Sequence, residues 1–129
     1  MLNLYYFFRF LECGHFCIKY VLKKDNIKLD VIYNKQLMSL GLVSRVLKNY
    51  YQDVTCFKAE SIEDITDLTR FITLIKISEN KFHYVVIECI KDGYVFYYDP
   101  AFIGIRRVKI SCFIKKWTFY CCLFKKSKC

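Results

Sequence analysis

Three strand-forming runs in the second half of the chain constrain the fold more than any other feature. They are rich in β-branched and aromatic residues and span Phe71–Ile77, Phe82–Ile90 and Tyr94–Tyr98. Lys91-Asp92-Gly93 joins the last two as a tight hairpin. Val108–Lys109 and Thr118–Phe124 supply further strand material. The C-terminal half is therefore predicted to form a mostly antiparallel sheet.

The first half of the chain has helical periodicity. Three helices are predicted from the spacing of apolar residues, at residues 13–24, Met38–Tyr50 and Ser61–Arg70. Ser39 is the expected cap of the second helix, and Ser61 with Asp64 resembles a capping box at the start of the third. A short strand, Val54–Phe57, is expected between them. Helices followed by an antiparallel sheet make an α+β fold.

The composition indicates one domain, residues 1–129, because no linker or repeat divides the chain. Apolar residues make up 55%, yet no charge-free run is longer than nine residues, far below the ~20 of a spanning helix. No basic segment precedes an apolar stretch, so a signal peptide is not expected and a cytoplasmic location is predicted. The net charge of +9 is scattered along the chain. This favours an acidic peptide or an anionic membrane face over nucleic acid as a partner.

The eight cysteines are interpreted as reduced, core-packed thiols. The chain is not short, and several of its cysteines lie inside apolar runs. Cys13, His15 and Cys17 lie close enough in the sequence to suggest a zinc site, but Cys-x-His-x-Cys matches no common structural site and no second ligand pair follows. No metal or cofactor is therefore expected, and Cys17 is expected to pack one turn below Cys13.

Three residues have the order and chemistry of a cysteine-peptidase site. Cys13 begins the first predicted helix, His83 lies on a predicted strand, and Asp99 follows the next strand. The positive end of the helix dipole favours a thiolate at Cys13. His83 would act as base and then acid, Asp99 would orient its ring, and Gly14 would leave room for a substrate backbone. Each residue also has an ordinary structural interpretation: a buried thiol, a hydrogen-bonded histidine and a turn aspartate.

The hairpin gives this interpretation a geometric condition. A three-residue loop at Lys91–Gly93 pairs Ile90 with Tyr94 and places Asp99 diagonally from His83 on one face of the sheet. A two-residue Asp-Gly loop would shift the register by one and separate them onto opposite faces. The catalytic hypothesis therefore predicts the longer loop.

Four motifs in this order resemble the C39 peptidases, papain-like domains usually fused to the N-terminus of bacterial peptide exporters. The motifs are Glu12-Cys13-Gly14-His15-Phe16-Cys17, His83-Tyr84-Val85-Val86, Asp99-Pro100-Ala101 and Trp117-Thr118. Ser39-Leu40-Gly41-Leu42 also looks like the start of the family's second helix. The resemblance covers nearly the whole chain and implies a papain-like fold.

The resemblance also implies an activity. By similarity, Cys13 is the nucleophile, His83 the base and Asp99 the orienting acid of a cysteine peptidase. Such an enzyme removes double-glycine leader peptides from bacteriocin or pheromone precursors in connection with an ABC exporter. The chain lacks membrane helices and a phosphate-binding loop of its own, so it is expected to be a stand-alone peptidase or an excised transporter domain.

One position departs from the family pattern. The family has a glutamine six residues before the nucleophile, where its side chain helps form the oxyanion hole. Phe7 stands there in this chain, and the nearest earlier amide side chain is Asn3. A missing oxyanion donor typically costs ~10²–10³ in rate. The alternative is therefore a weakened or inactive domain that binds leader peptide or transport substrate without cutting it.

Overall fold

The computed structural model describes residues 11–68, 70–102 and 104–125. These residues form three helices, a 3₁₀ turn and six strands. In chain order they are α1 (Cys13–Lys24), α2 (Leu40–Leu47), β1 (Asp53–Lys58), the 3₁₀ turn (Ile62–Asp64), β2 (Phe71–Ser78), β3 (Lys81–Lys91), β4 (Tyr94–Tyr98), β5 (Ile105–Lys109), α3 (Ile110–Lys116) and β6 (Trp117–Lys125). None of the described helices is long and apolar enough to cross a membrane.

The six strands form one antiparallel sheet in the order β1-β6-β2-β3-β4-β5. The central part of β3, residues 83–87, is buried on both faces, because helices pack on each side of the sheet. Tyr84 and Val86 contribute to the core under α1 and α2, while Val85 and Ile87 contribute to a second core that contains Phe113 of α3. The α+β prediction is confirmed, and the sheet is antiparallel throughout.

The first helix begins and ends where the sequence predicts. α1 buries Cys17, Ile18, Val21 and Leu22 on one stripe, the pattern of a helix lying on a sheet. α2 is shorter than the predicted Met38–Tyr50 but keeps the predicted cap. The Ser39 hydroxyl accepts a hydrogen bond from the Leu42 N–H at 3.1 Å, which satisfies one of the free amides of the first turn.

The predicted helix at Ser61–Arg70 is wrong beyond its first turn. The capping box of Ser61 and Asp64 is present, but the chain then makes hydrogen bonds three residues apart: Ile65 N–H to the Ile62 carbonyl and Leu68 N–H to the Ile65 carbonyl. Ile62, Ile65 and Leu68 all pack in the second core. Apolar residues spaced by three match the 3₁₀ period rather than the 3.6 residues of an α-helix.

A short helix, α3, stands where the sequence suggested no element. Ile110–Lys116 contains β-branched residues and only Phe113 of it is buried. A seven-residue segment with a single buried residue shows no helical periodicity of apolar residues from which a helix could be predicted. Phe113 packs edge-on against Trp117 at the start of β6, with ring centroids 5.6 Å apart, and so anchors the helix to the sheet.

The hairpin between β3 and β4 has a two-residue loop, so the predicted three-residue loop is wrong. Lys91 pairs with Tyr94, and Asp92 and Gly93 both have positive φ (54° and 81°), as a type I′ turn requires. The register then shifts between Ile87 and Cys89, a β-bulge at Glu88. Beyond the bulge Val86 pairs with Tyr98, which is the register that the longer loop would have produced.

The bulge residue is tied to the first helix. The Glu88 carboxylate accepts a hydrogen bond from the Tyr20 hydroxyl of α1 at 2.6 Å and pairs with the Arg70 guanidinium at 3.2 Å. The Tyr20 ring stacks on Tyr98 of β4, with centroids 4.1 Å apart. Burial and then the Glu88 hydrogen bond raise the pKa of Tyr20 well above its usual range. One network therefore joins α1, the bulge and the end of β4.

We expect Glu88→Ala to lower the free energy of unfolding by about 2 kcal/mol, because it leaves the Tyr20 hydroxyl and the Arg70 guanidinium without their shared acceptor. Urea unfolding measures this change. Glu79→Ala, at an exposed position of the β2–β3 turn, is the matched control and should change stability by less than about 0.5 kcal/mol. An equal effect of both substitutions would contradict the structural role of Glu88.

Candidate active site

Cys13 is the first residue of α1 and its side chain is buried. The backbone N–H of Tyr84 in β3 points at its Sγ from 3.4 Å. The opening amides of an α-helix lack intrahelical acceptors, so the thiol also lies at the positive end of the helix dipole. Both features stabilise negative charge on sulfur.

His83 lies on β3 beside this thiol and is 2% exposed. Its Nε2 is hydrogen-bonded to Oδ1 of Asp99. Burial alone would lower the pKa of His83, but the hydrogen bonds with Asp99 and with the Cys13 thiol outweigh burial and raise the pKa to about 9. The ring is therefore held between a thiol and a carboxylate, and its charged form is stabilised there.

Asp99 directly follows β4 and is also buried. Its Oδ1 accepts a second hydrogen bond from the Ala101 N–H at 2.9 Å, and its Oδ2 lies 3.9 Å from the Arg106 guanidinium. The bulge at Glu88 explains how it reaches His83. Continuing the Val86–Tyr98 pairing by one residue places Asp99 across from Val85, diagonal to His83 on one face.

The structure thus brings together Cys13, His83 and Asp99, three residues far apart in the sequence. It also adds residues that the sequence analysis did not identify. Tyr84 supplies the backbone donor to the thiol, and Arg106 lies beside the Asp99 carboxylate. Tyr84 belongs to the His-Tyr-Val-Val motif, but its backbone role has no sequence pattern. Phe7, at the position of the family's oxyanion-hole glutamine, and Asn3, the nearest earlier amide side chain, lie outside the described residues.

Gly14 has a packing reason to be glycine. A Cβ at this position would lie 3.3 Å from Met38 and from the Tyr84 ring, closer than ordinary contact. Glycine lets the start of α1 approach these two side chains. The expected role of Gly14 in admitting a substrate backbone stays a prediction.

His15 and Cys17 lie behind the thiol rather than in the site. His15 Nδ1 is hydrogen-bonded to the Tyr33 hydroxyl at 2.6 Å, and burial, together with Lys35 and Lys19, lowers its pKa to about 4. The imidazole is therefore neutral near pH 7. Cys17 is fully buried in the first core. Among the described residues no three side chains of the His, Cys, Asp and Glu types are grouped as a metal site would need.

The described cysteines all carry free thiols, seven in number. Cys121 and Cys122 are buried as expected, whereas Cys56 and Cys112 are exposed. Burial raises the pKa of Cys121 to about 11, so this thiol is protonated near neutral pH.

A cavity of about 190 Å³ opens beside the thiol. Apart from Cys13 its lining is apolar or aromatic: Leu11, Leu37, Met38, Leu74, Phe82 and Tyr84. The Tyr84 hydroxyl donates to the Met38 carbonyl at 2.9 Å, so its polar group is already satisfied within the protein. The space next to the Cys13 thiol is therefore suited to an apolar group.

The same architecture occurs in solved peptidase domains. The peptidase domain of Streptococcus ComA, a bifunctional ABC transporter involved in a quorum-sensing pathway, superposes with a TM-score of 0.77 at 19% identity and covers 98% of this chain and 96% of its own. A double-glycine-motif protease from an AMS/PCAT transporter, solved with the leader peptide, gives 0.69 at 21% identity, with 91% and 86% covered. The Streptococcus mutans ComA peptidase domain bound to a small-molecule inhibitor gives 0.69 at 19% identity, with 89% and 92% covered.

A buried thiol at a helix start, beside a histidine that is hydrogen-bonded to an aspartate on an adjoining sheet, is the arrangement of a papain-like cysteine peptidase. The sequence model of the peptidase C39 family matches residues 8–129. The chain belongs to the peptidase C39 family. No curated protein sequence matches it.

The His83 environment predicts a pH dependence of stability. The pKa is raised from 6.5 in the unfolded chain to about 9 in the folded one, so the folded state binds the proton more tightly. The stabilisation of the folded state by the protonated His83 imidazole is fully present below pH 6.5 and is lost as the pH rises through 9. Urea unfolding between pH 6 and 9.5 should show the decline.

The His83→Gln variant is the control for this titration. The free energy of unfolding of this variant should depend less on pH, because the variant lacks the His83 imidazole and keeps all the other titratable groups. Parallel profiles for the two proteins would show that His83 does not carry the raised pKa.

Proposed function

We propose that the chain is a cysteine peptidase that cuts after a double-glycine pair and removes leader peptides from bacterial peptide precursors. The observation that carries the proposal is the position of His83, which is buried, hydrogen-bonded to Asp99 and close enough to the Cys13 thiol for that thiol to help raise its pKa. The two solved relatives that are described as a double-glycine protease with leader peptide and as an ABC-transporter peptidase support the substrate class. By the same similarity the chain would act beside an exporter at the cytoplasmic face of the membrane.

The reaction begins with attack by sulfur. His83 holds the proton of the Cys13 thiol as an imidazolium, and the thiolate adds to the carbonyl carbon of the second glycine. The carbonyl π electrons move to oxygen, and the backbone N–H of Cys13, one of the free amides at the helix start, would donate a hydrogen bond to this oxyanion. When the tetrahedral intermediate collapses, the C–N bond breaks and His83 donates its proton to the leaving amine. The leader is left as a thioester on Cys13.

Hydrolysis of the thioester reverses the roles. Neutral His83 takes a proton from water as the oxygen adds to the thioester carbon, and the thiolate leaves as the carboxylic acid forms. Asp99 holds the imidazole by Nε2 through both steps and stabilises its charge, while Ala101 and Arg106 hold the carboxylate. No metal or cofactor takes part in this scheme.

The decisive experiment is incubation with synthetic double-glycine leader peptides. The native chain should release the leader, and Cys13→Ala should release none, because the nucleophile is gone. Cys112→Ser, which changes an exposed thiol on α3, is the matched control and should cleave at the native rate. Mass spectrometry of the products locates the cut.

Binding of the leader without cleavage by the native chain would contradict the peptidase and favour a leader-binding module. The rate of Cys13 alkylation by iodoacetamide at pH 7 gives a second reading. It should exceed that of the exposed Cys112 thiol, which has no imidazole partner in the structure described.

Asp99→Asn should lower kcat by about 10²–10⁴ with a smaller effect on KM, because the amide no longer stabilises the imidazolium. The pKa of His83 should fall in the variant, since the carboxylate is one of the groups that raise it. The measurements are the pH–rate profile and an NMR titration of the ring. Asp92→Asn, in the exposed hairpin loop, is the control. An unchanged kcat in Asp99→Asn would remove Asp99 from the mechanism.

A further inference from the structure

Two cysteines lie directly opposite each other on neighbouring strands of the sheet. Cys56 of β1 pairs with Cys122 of β6, and cross-strand partners point their side chains to the same face. This face is the one that α1 and α2 cover, because Cys122 belongs to the first core and the Cys56 thiol donates to the Leu40 carbonyl of α2 at 3.9 Å. The two thiols therefore lie side by side at the start of α2.

The hydrogen-bond pattern of the ladder brings this pair as close as two neighbouring strands allow. The Ala59 N–H donates to the Phe119 carbonyl at 2.8 Å, three positions further along the same register. Hydrogen-bonded and non-hydrogen-bonded pairs alternate along antiparallel strands, so Cys56 and Cys122 form a non-hydrogen-bonded pair. The Cα atoms of such a pair are about 4.5 Å apart, at the short end of the range of about 4.4–6.8 Å that a disulfide spans.

The two thiols differ in what can reach them. Cys56 is exposed, whereas the Cys122 side chain is fully buried. Burial and then the neighbouring Cys56 thiol raise the pKa of Cys122 well above its ordinary range, so the Cys122 thiol is protonated near neutral pH. An oxidant in solvent therefore meets Cys56 first, and Cys122 reacts only with a sulfur that already lies beside it.

Cys121 is an internal comparison for Cys122. It is the preceding residue of β6 and is equally buried, but its side chain points to the opposite face of the sheet and packs in the second core. There its Sγ lies 3.6 Å from the Thr73 hydroxyl. Two adjacent thiols of the same strand are thus equally buried, and only Cys122 faces Cys56.

We propose that Cys56 and Cys122 form a reversible thiol–disulfide site that takes a small disulfide such as oxidised glutathione as its oxidant, and that the resulting bond fastens β1 to β6. Among the described strands β1 stands at one edge of the sheet and pairs with β6 alone, so this one ladder holds it in place. A disulfide across so short a span is strained and is therefore readily reduced again.

The oxidation proceeds by two thiol–disulfide exchange steps. The Cys56 thiol loses its proton to solvent and the thiolate attacks one sulfur of oxidised glutathione, whose S–S bond breaks; the first glutathione leaves and takes up a proton. The Cys122 sulfur then attacks the Cys56 sulfur of the mixed disulfide, and its proton passes to the second glutathione as it departs. The two protein thiols lose two electrons, and one glutathione disulfide becomes two glutathione thiols.

Peptide mapping after treatment with oxidised glutathione tests the pairing. Trypsin cuts after lysine, so it releases Cys56 in the peptide of residues 49–58 and Cys122 in that of residues 117–125. The native chain should yield these two peptides joined, and dithiothreitol should separate them. Cys122→Ala should lose the cross-link and accumulate glutathione on Cys56, because the second exchange step then has no attacking sulfur.

Cys121→Ala is the matched control and should form the cross-link at the native rate. A cross-link that persists in Cys122→Ala overturns the proposal, as does one that joins Cys56 to a different thiol or to a second copy of the chain. Failure of the native chain to form any cross-link overturns it as well. The native chain alone decides this last point, so the result does not depend on how well a variant folds.

Hydrogen exchange measures whether the bond fastens the edge strand. The β1 amides should exchange about tenfold more slowly in the oxidised native chain than in the reduced one, because the cross-link restricts local opening of β1. Cys56→Ser cannot form the bond and should give the same β1 exchange rates with and without oxidised glutathione. Equal exchange in the oxidised and reduced native chain would overturn the fastening of β1. Neither measurement requires a peptide to be cleaved, so both outcomes are separate from that of the proposed function.

Discussion

The hydrogen-bond ladder between β3 and β4 fixes where the Asp99 carboxylate lies relative to the His83 imidazole. The two side chains share a face only if β3 contains one residue more than β4 does between the turn and the site. That extra residue is Glu88, in a β-bulge, and not a third residue of the loop. The Asp92-Gly93 turn has the backbone twist that suits the strands, with φ positive at both residues. Because the bulge corrects the register, the hairpin can have a favourable two-residue turn and the His83–Asp99 hydrogen bond can still form. The thiol then needs only a helix whose first residue meets β3 at Tyr84, and Gly14 permits that approach.

Much of this arrangement follows from the sequence. The apolar stripe of α1 predicted its bounds, Ser39 predicted the cap of α2, and the three long strand runs predicted the centre of the sheet. The errors have local physical causes. Ile62, Ile65 and Leu68 are three residues apart, which suits 3₁₀ turns, but the capping box at Ser61 and Asp64 favours an α-helix. α3 has one buried residue and therefore no period. The sequence predicts a hairpin loop one residue too long because a β-bulge depends on tertiary contacts. The Glu88 side chain is hydrogen-bonded to Tyr20 and Arg70, and no local sequence pattern connects those residues to Glu88.

The site itself divides in the same way. Residue types and their order were enough to select Cys13, His83 and Asp99 as candidates, since each carries chemistry that a cysteine peptidase needs. The backbone donor at Tyr84 and the cavity-lining residues Leu37 and Phe82 have no pattern in the sequence, because nearly every residue carries a backbone N–H and an exposed apolar residue resembles any other surface residue.

The network at Glu88 has a consequence for how the protein opens. Tyr20 lies in the helix that begins at the thiol, Tyr98 immediately precedes Asp99, and Glu88 lies on the strand of His83. Loosening the helix therefore also loosens the hairpin, so the two should exchange their amide hydrogens as one cooperative unit. Cys13, His83 and Asp99 would leave and regain their folded positions together. A partly opened molecule would therefore not expose the Cys13 thiol while His83 and Asp99 keep their folded arrangement.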